Sequence, residues 1–256
     1  MPALLKMYLI VCPLIFLGAF VDSVAGGGGI ITLPAYMMAG VPVHFAAGTN
    51  KVVAGCGAAA ATVKYFRSGK VRVRPALGAA IGALIGGYIG AEIAKLLSDS
   101  LLKGLMLVAL PLVAVFLVLK KDFGQETGEK TYSPRYEIGV SMGIGLFIGC
   151  YDGMIGPGTG TFMIMCFTAL LGMDMVTASG CSKVGNLASN IAAAASFIIG
   201  GKVMWALVVP AALCSVAGGY CGSRYAIRGG SRKIRGMIFV VLGMMFVKMI
   251  YDLLAG

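Results

Sequence analysis

Apolar residues fill this chain in long runs, which short polar or glycine-rich segments separate. The runs cover residues 7–21, 30–43, 46–63, 76–97, 101–119, 138–151, 160–173, 180–200, 203–222 and 236–251. Several reach the ~20 residues that a helix needs to cross the hydrocarbon layer of a bilayer, and others are clearly shorter. The pattern predicts an all-α, multi-pass membrane protein with helices of two lengths.

The composition agrees with a chain that lies in lipid. Hydrophobic residues make up 59% of the 256 positions, charged residues 12%, and the mean hydropathy is +0.92. In such a chain the formal charge of +11 marks loops that stay on the cytoplasmic side, so we expect no nucleic-acid partner. The seven cysteines have no C-x-x-C or histidine-paired spacing, which predicts neither a metal site nor a cofactor.

The second half of the chain repeats the first. Residues 48–52 (GTNKV) align with 180–184 (GCSKV), and the same offset of 132 pairs a later GGYIG with GGYCG. Upstream of these segments, Asp22 aligns with Asp152 at an offset of 130, so two residues are inserted between the two registers. A fixed-period similarity in an apolar chain is typical of transporters that arose by duplication.

Loop charges indicate that the two copies face opposite sides of the membrane. The loop at 64–74 carries five basic residues, whereas its counterpart at 196–206 holds only Lys202. The next loop reverses this, because the charges of 92–103 sum to zero and 224–235 carries five basic residues. Since basic loops remain cytoplasmic, equivalent loops lie on opposite sides.

We therefore predict two inverted repeats, residues 1–119 and 136–256, joined by a cytoplasmic linker at 120–135. Inversion needs an odd number of crossings, and each repeat has five apolar pieces. In one arrangement, the two short pieces of each repeat form a re-entrant hairpin with a glycine-rich tip, and three longer helices cross. In the other, the first short piece crosses and the second lies at the surface. The sequence leaves both open.

The predicted hairpin tips are two glycine segments, residues 26–29 (GGGG) and 156–160 (GPGTG). Each glycine costs up to ~1 kcal/mol relative to alanine inside a helix, so these segments predict breaks. The short helices that begin after the breaks would direct their N-termini toward the middle of the membrane. Because a helix N-terminus carries partial positive charge, this geometry favours an anionic ligand.

Matched charged residues flank the glycine segments. Lys51 and Lys183 lie in apolar helices, where a lysine costs ~2.5–3.5 kcal/mol, and we expect them to surround an anion with positive charge. Snorkelling of Lys51 to the interface is the alternative. Asp22 and Asp152 either pair with the lysines or carry a proton during transport. The candidate substrate ligands are Gly27, Gly28, Gly29, Thr49, Asn50, Lys51, Gly158, Thr159, Gly160, Ser182, Lys183, Asn186 and Asn190, and the candidate coupling-ion residues are Asp22 and Asp152.

The segments VDSVAGGGGIITLPA, GTNKV and YDGMIGPGTGTF resemble the TauE/SafE family of sulfite and sulfonate exporters, and the resemblance extends along essentially the whole chain. It implies a duplicated membrane domain in the bacterial inner membrane. It also implies export, or sometimes uptake, of sulfite, sulfonates or related organosulfur anions.

These observations predict a secondary transporter of a small anion that works by alternating access in the lipid bilayer, with protons as candidate coupling ions. An anion channel shares every feature and differs in rate. An intramembrane enzyme with Ser23 or Ser182 as nucleophile is a third hypothesis, which the lack of a Walker loop or metal-ligand spacing disfavours. The sequence leaves the substrate, the direction of transport and the formation of a homo-oligomer open.

Overall fold

A computed structural model describes residues 3–98, 101 and 132–255, and every regular element among them is an α-helix. The helices are α1 (Ala3–Ala25), α2 (Gly29–Met38), α3 (Val43–Arg67), α4 (Val73–Leu96), α5 (Pro134–Met154), α6 (Thr159–Leu171), α7 (Met175–Ile199) and α8 (Trp205–Ala255). The predicted helix at 101–119, apart from its first residue, and most of the predicted linker lie outside the described residues.

Helix lengths follow the same order in both halves of the chain. In the first half, α1 to α4, the second helix has 10 residues, and in the second half, α5 to α8, it has 13. Each short helix comes directly after a glycine segment and before a helix of 25 residues. A break at Gly230, with φ 65° and ψ −170°, divides α8.

Three of the described helices are long and apolar enough to cross a membrane: Leu4–Ala25, Val73–Leu96 and Trp205–Val241. Their outer faces carry large apolar side chains, such as Val209 and Leu213, which are 68% and 69% exposed. Exposed apolar surface of this extent requires lipid rather than water as its solvent. The helices thus fit a multi-pass membrane protein, as the sequence predicts.

The helices before the glycine segments are longer than the apolar runs predict. Helix α1 has 23 residues, about 34 Å at ~1.5 Å per residue, because it continues through Asp22 and Ser23 to Ala25. Helix α5 likewise continues through Asp152. These polar residues remain helical since their side chains or backbone groups have partners inside the protein.

Local signals explain how the helices after the second glycine segment begin and end. Gly158, with φ 84°, precedes the first residue of α6, and Gly172, with φ 60°, follows its last. The carboxylate of Asp174 then accepts hydrogen bonds from the backbone N–H groups of Val176 and Thr177, at 2.9 and 3.1 Å, and so caps α7. This cap fixes the start of the helix that carries Lys183.

The two halves pack through reciprocal contacts. Helix α4 lies against α5, and its counterpart α8 lies against α1. A Cβ added at Gly86 would overlap the carbonyl oxygen of Leu146, and one added at Gly218 would overlap that of Phe16. These four positions are related by the offsets of 132 and 130 that the sequence shows. Small residues let the backbones approach closely at both places.

Candidate transport site

The two glycine segments touch each other inside the protein. Gly26, with φ +82°, packs so closely on Gly160 that a Cβ at Gly26 would overlap the backbone of Gly160 and Thr161. Thr161 Oγ1 donates a hydrogen bond to the carbonyl oxygen of Ala25 at 2.5 Å. A residue other than glycine at position 26 would be strained and would separate the two segments.

Next to this contact, Lys51 of the first half pairs with Asp152 of the second. Lys51 Nζ lies 3.0 Å from Asp152 Oδ1 and also donates to the Asp152 carbonyl oxygen. Thr159 Oγ1 donates to Oδ1 at 2.9 Å, and Ser189 Oγ donates to Oδ2 at 2.6 Å. Both charged side chains are buried, so each depends on the other for its compensating charge.

In the equivalent ion pair the lysine belongs to the second half and the aspartate to the first. Lys183 Nζ of the second half lies 2.7 Å from Asp22 Oδ2 of the first half. Lys183 is fully buried, but the Asp22 side chain is 22% exposed. Within the described part of the chain no hydroxyl group donates to Asp22, in contrast to Asp152. We call Lys51–Asp152 and Lys183–Asp22 the crossed ion pairs.

A cavity of about 40 Å³, measured as the space open to the centre of a water molecule, lies beside the crossed ion pairs. A single water needs roughly 10–15 Å³ on this measure, so the cavity has room for a few waters or one small oxyanion. Its polar lining comprises Asp22, Thr32, Asn50, Lys51, Asp152, Asn186, Asn190 and Ser215, together with the backbone of Gly28, Gly29 and Gly156.

The N-terminus of α2 faces this cavity. The N–H groups of Ile30 and Ile31 bond to the carbonyl oxygens of Gly27 and Gly28, at 3.2 and 2.9 Å. The N–H groups of Gly28 and Gly29 have no backbone acceptor among the described residues. Free amides at a helix start attract negative charge.

Asn50 supplies a polar group that the protein itself does not satisfy. The residue is 8% exposed and lines the cavity, and its Oδ1 has no hydrogen-bond partner among the described residues. Asn186 and Asn190 line the same cavity and are hydrogen-bonded to each other. Because an amide group can present either its oxygen or its nitrogen, Asn50 can donate to an anion or accept from its water.

The cavity is asymmetric because the two long helices after the short ones differ at equivalent positions. Asn186 and Asn190 of α7 correspond, at the offset of 132, to Ala54 and Ala58 of α3. All four residues line the cavity, so at these equivalent positions α7 presents amide side chains and α3 presents small apolar ones.

The structure separates the predicted site residues into two groups. Those at the cavity are Gly28, Gly29, Asn50, Lys51, Asn186 and Asn190, with Asp22 and Asp152. The others do not line it: Gly27, Thr49, Gly158, Thr159, Gly160, Ser182 and Lys183. Among these, Thr49 Oγ1 accepts from Met204 N–H at 2.9 Å, and Ser182 Oγ donates to the Gly160 carbonyl oxygen at 3.2 Å.

Sequence reasoning overlooked Thr32, Gly156, Ser189 and Ser215. The polar face of α7 contained a signal for Ser189, because residues 186, 189 and 190 share one helix face. Thr32 is the threonine in the largely apolar GIITLPAYMM of α2. Ser215 reaches the cavity from α8, and nothing in its local sequence indicates this. Among the described residues, no group of three or more His, Cys, Asp or Glu side chains could hold a metal ion.

Apolar outer faces around a polar, charged interior cavity define a multi-pass membrane protein. The chain belongs to the Sulfite exporter TauE/SafE family, whose profile matches residues 11–249. It is therefore a membrane transporter of the cell membrane, and the family implies transport rather than enzymatic activity.

Several bacterial relatives cover nearly the whole chain. It is 32% identical to "Probable membrane transporter protein ORF9" of Sinorhizobium sp over 237 residues, and these cover 93% of this chain and 90% of that protein. It is 31% identical over 237 residues to "Probable membrane transporter protein" of Haemophilus influenzae, 93% of this chain and 92% of the relative. It is also 31% identical to "Probable membrane transporter protein YfcA" of Escherichia coli K12, over 92% of this chain and 87% of the relative. No solved structure matches the chain.

Proposed function

We propose that this protein is a secondary transporter that carries a small organosulfur oxyanion, of the sulfite or sulfonate class, through the cavity beside the crossed ion pairs. The observation that carries the proposal is the position of Lys51. Its ammonium group is buried, and it lines the same cavity as the free amides at the start of α2. A cation and helix-terminal amides are the groups that bind oxyanions in low-dielectric surroundings.

Reciprocal packing supports inverted repeats. When position A contacts B′ and A′ contacts B, a two-fold axis relates the two halves. The crossed ion pairs and the glycine contacts of α4 and α8 follow this rule. Combined with the opposite loop charges, this symmetry favours an axis in the membrane plane, with the short helices as halves of re-entrant hairpins.

The asymmetric cavity supports alternating access. Gly28 and Gly29 of the first glycine segment line it but their equivalents, Gly158 and Thr159, do not, whereas Gly156 lines it and its equivalent, Gly26, does not. A protein with two equivalent halves can adopt a second state in which these roles are exchanged. Rocking one half against the other would then expose the site alternately to the two sides.

The charge balance of the site supports proton coupling. The two lysines and two aspartates sum to zero, so an incoming anion meets no excess positive charge. If one carboxylate binds a proton, a lysine is released and the anion enters a site of net charge +1. Asp22 is the better candidate, because its side chain is more exposed than that of Asp152 and lacks the two hydroxyl donors that hold Asp152.

Replacing Asp22 with asparagine tests this coupling. The groups facing Asp22 are Lys183 of α7, the Tyr65 phenol of α3, and Lys51 and Asp152 across the cavity. We expect wild-type anion flux in proteoliposomes to increase as pH falls, and the flux of Asp22→Asn to be independent of pH, since the variant resembles the protonated state. Asp174→Asn, at a helix cap, is the matched control that keeps the wild-type pH profile. A pH-dependent Asp22→Asn would assign the dependence to another group.

Counterflow of radiolabelled anion separates the carrier from the channel. Proteoliposomes loaded with unlabelled sulfite should accumulate external label transiently, because a carrier exchanges one solute for another. The same assay with sulfate, thiosulfate, short sulfonates and short carboxylates ranks the substrates. Single-channel currents without counterflow would support a pore, and no effect of any of these anions would reject the proposed substrate class.

A further inference from the structure

A second basic site lies on α8, away from the crossed ion pairs. Five basic residues, Arg224, Arg228, Arg232, Lys233 and Arg235, lie within 12 positions. The sequence contains no acidic residue between Asp174 and Asp252. None of the five takes part in an ion pair with the described residues, so their charges are not neutralised by the protein there.

Three of these charges lie around one concavity beside the break at Gly230. Because Gly230 has φ 65°, the two parts of α8 meet at an angle rather than forming one straight helix. A concavity of about 680 Å³, open to its surroundings, lies beside the break and is lined by Tyr225, Arg228, Arg232, Lys233, Met237 and Val240.

Contacts within the concavity position one of the cations. Lys233 Nζ lies 4.3 Å from the centroid of the Tyr225 ring, a cation–π geometry that spans the break. The methylene groups of Lys233 also occupy the space where a Cβ at Gly229 would lie. The ammonium group is therefore held in place before a ligand binds.

The surroundings of the concavity are apolar. Val240 lines it and is 55% exposed, and the neighbouring Phe239 is 53% exposed. A soluble anion would bind the cations but leave the exposed apolar side chains beside them uncovered. A phospholipid would cover both, because its phosphate binds the cations while its acyl chains cover the apolar surface.

From this combination we infer that the concavity at Gly230 is a binding site for an anionic phospholipid headgroup. Basic loops are cytoplasmic, so the ligand would come from the cytoplasmic leaflet. The site is separate from the transport cavity and does not depend on the substrate of the transporter.

Titration of the purified full-length protein with short-chain lipids tests this inference, with thermal stability and native mass spectrometry as readouts. We expect phosphatidylglycerol to raise the midpoint of unfolding and to remain bound in the mass spectrum, and phosphatidylcholine to do neither. Arg228→Gln/Arg232→Gln/Lys233→Gln should weaken phosphatidylglycerol binding ~10-fold or more. Arg67→Gln/Lys70→Gln/Arg74→Gln removes three charges from the other basic loop and should bind as the wild type does.

Three results would overturn the inference. Equal weakening by both triple variants would indicate diffuse attraction between a basic protein and an anionic lipid. Equal stabilisation by inorganic phosphate would indicate a site for soluble anions. Equal binding of phosphatidylcholine would remove the role of headgroup charge. If the triple variant cannot be purified, Arg232→Gln provides the same comparison with a smaller change in affinity.

Discussion

Lys51→Ala is expected to reduce anion flux in proteoliposomes to the level of empty vesicles. The substitution removes the lysine ammonium that borders the cavity and leaves the Asp152 carboxylate as a negative charge where the anion must enter. Loss of a charge-assisted contact alone costs ~1.5–3 kcal/mol, at least ~10-fold in affinity, and the exposed carboxylate adds repulsion. The measurement is initial uptake of labelled sulfite, or of the best substrate from the counterflow screen.

Lys64→Ala is the matched control, because it makes the same substitution near the C-terminal end of the same helix, α3. It should transport as the wild type does. Equal protein incorporation and a folded elution profile must be shown for both variants. Wild-type flux in Lys51→Ala would remove the lysine from the transport path. Lys183→Ala is expected to lower flux as well, through loss of the Lys183–Asp22 pair rather than of a cavity ligand.

Asp152→Asn is expected to cause the largest loss of stability of any single substitution at the site. It leaves the buried Lys51 ammonium without its compensating charge, and breaking a buried pair from one side costs ~3–5 kcal/mol. The hydroxyl groups of Thr159 and Ser189 would also lose a charged acceptor. The measurement is the midpoint of thermal unfolding in detergent, which should fall by several degrees.

The double variant Lys51→Met/Asp152→Asn separates structure from function. Removing both charges should restore most of the lost stability, because a neutral pair has no uncompensated charge. Transport should remain absent, since the cavity then lacks its cation. A stable Asp152→Asn single variant would contradict the buried pairing, and an active double variant would show that the pair serves only the fold.

The glycine segments and the matched lysines could be predicted because each has a free-energy cost that is evident from the neighbouring sequence alone. Four glycines in an apolar run, or a lysine in an apolar helix, is unfavourable unless the fold uses it. The partner of each lysine could not be predicted. Lys51 could have paired with Asp22 of its own half or with Asp152 of the other, and the choice depends on how α3 and α5 pack in three dimensions.

The asymmetry of the cavity also could not be predicted from the internal repeat. Self-alignment treats equivalent positions as alike, so it assigned the same role to both glycine segments. In the structure the first segment lines the cavity with Gly28 and Gly29, whereas the second lines it with Gly156, and Gly160 is packed on Gly26 instead. Under the proposed alternating access, the conformational state decides which of the two equivalent surfaces is open. The length of α1 was underestimated because the apolar run ends just before Asp22, although the helix continues beyond it.

Anomalous diffraction from crystals of the full-length protein soaked in selenite tests the central claim most directly, because the selenium atom reports where the oxyanion binds. We expect a peak in the cavity, within hydrogen-bond reach of Lys51 Nζ and the amides of Gly28 and Gly29, and its loss in Lys51→Ala. Selenium bound elsewhere, such as at Arg228, Arg232 and Lys233, with an empty cavity under conditions that support transport, would contradict it.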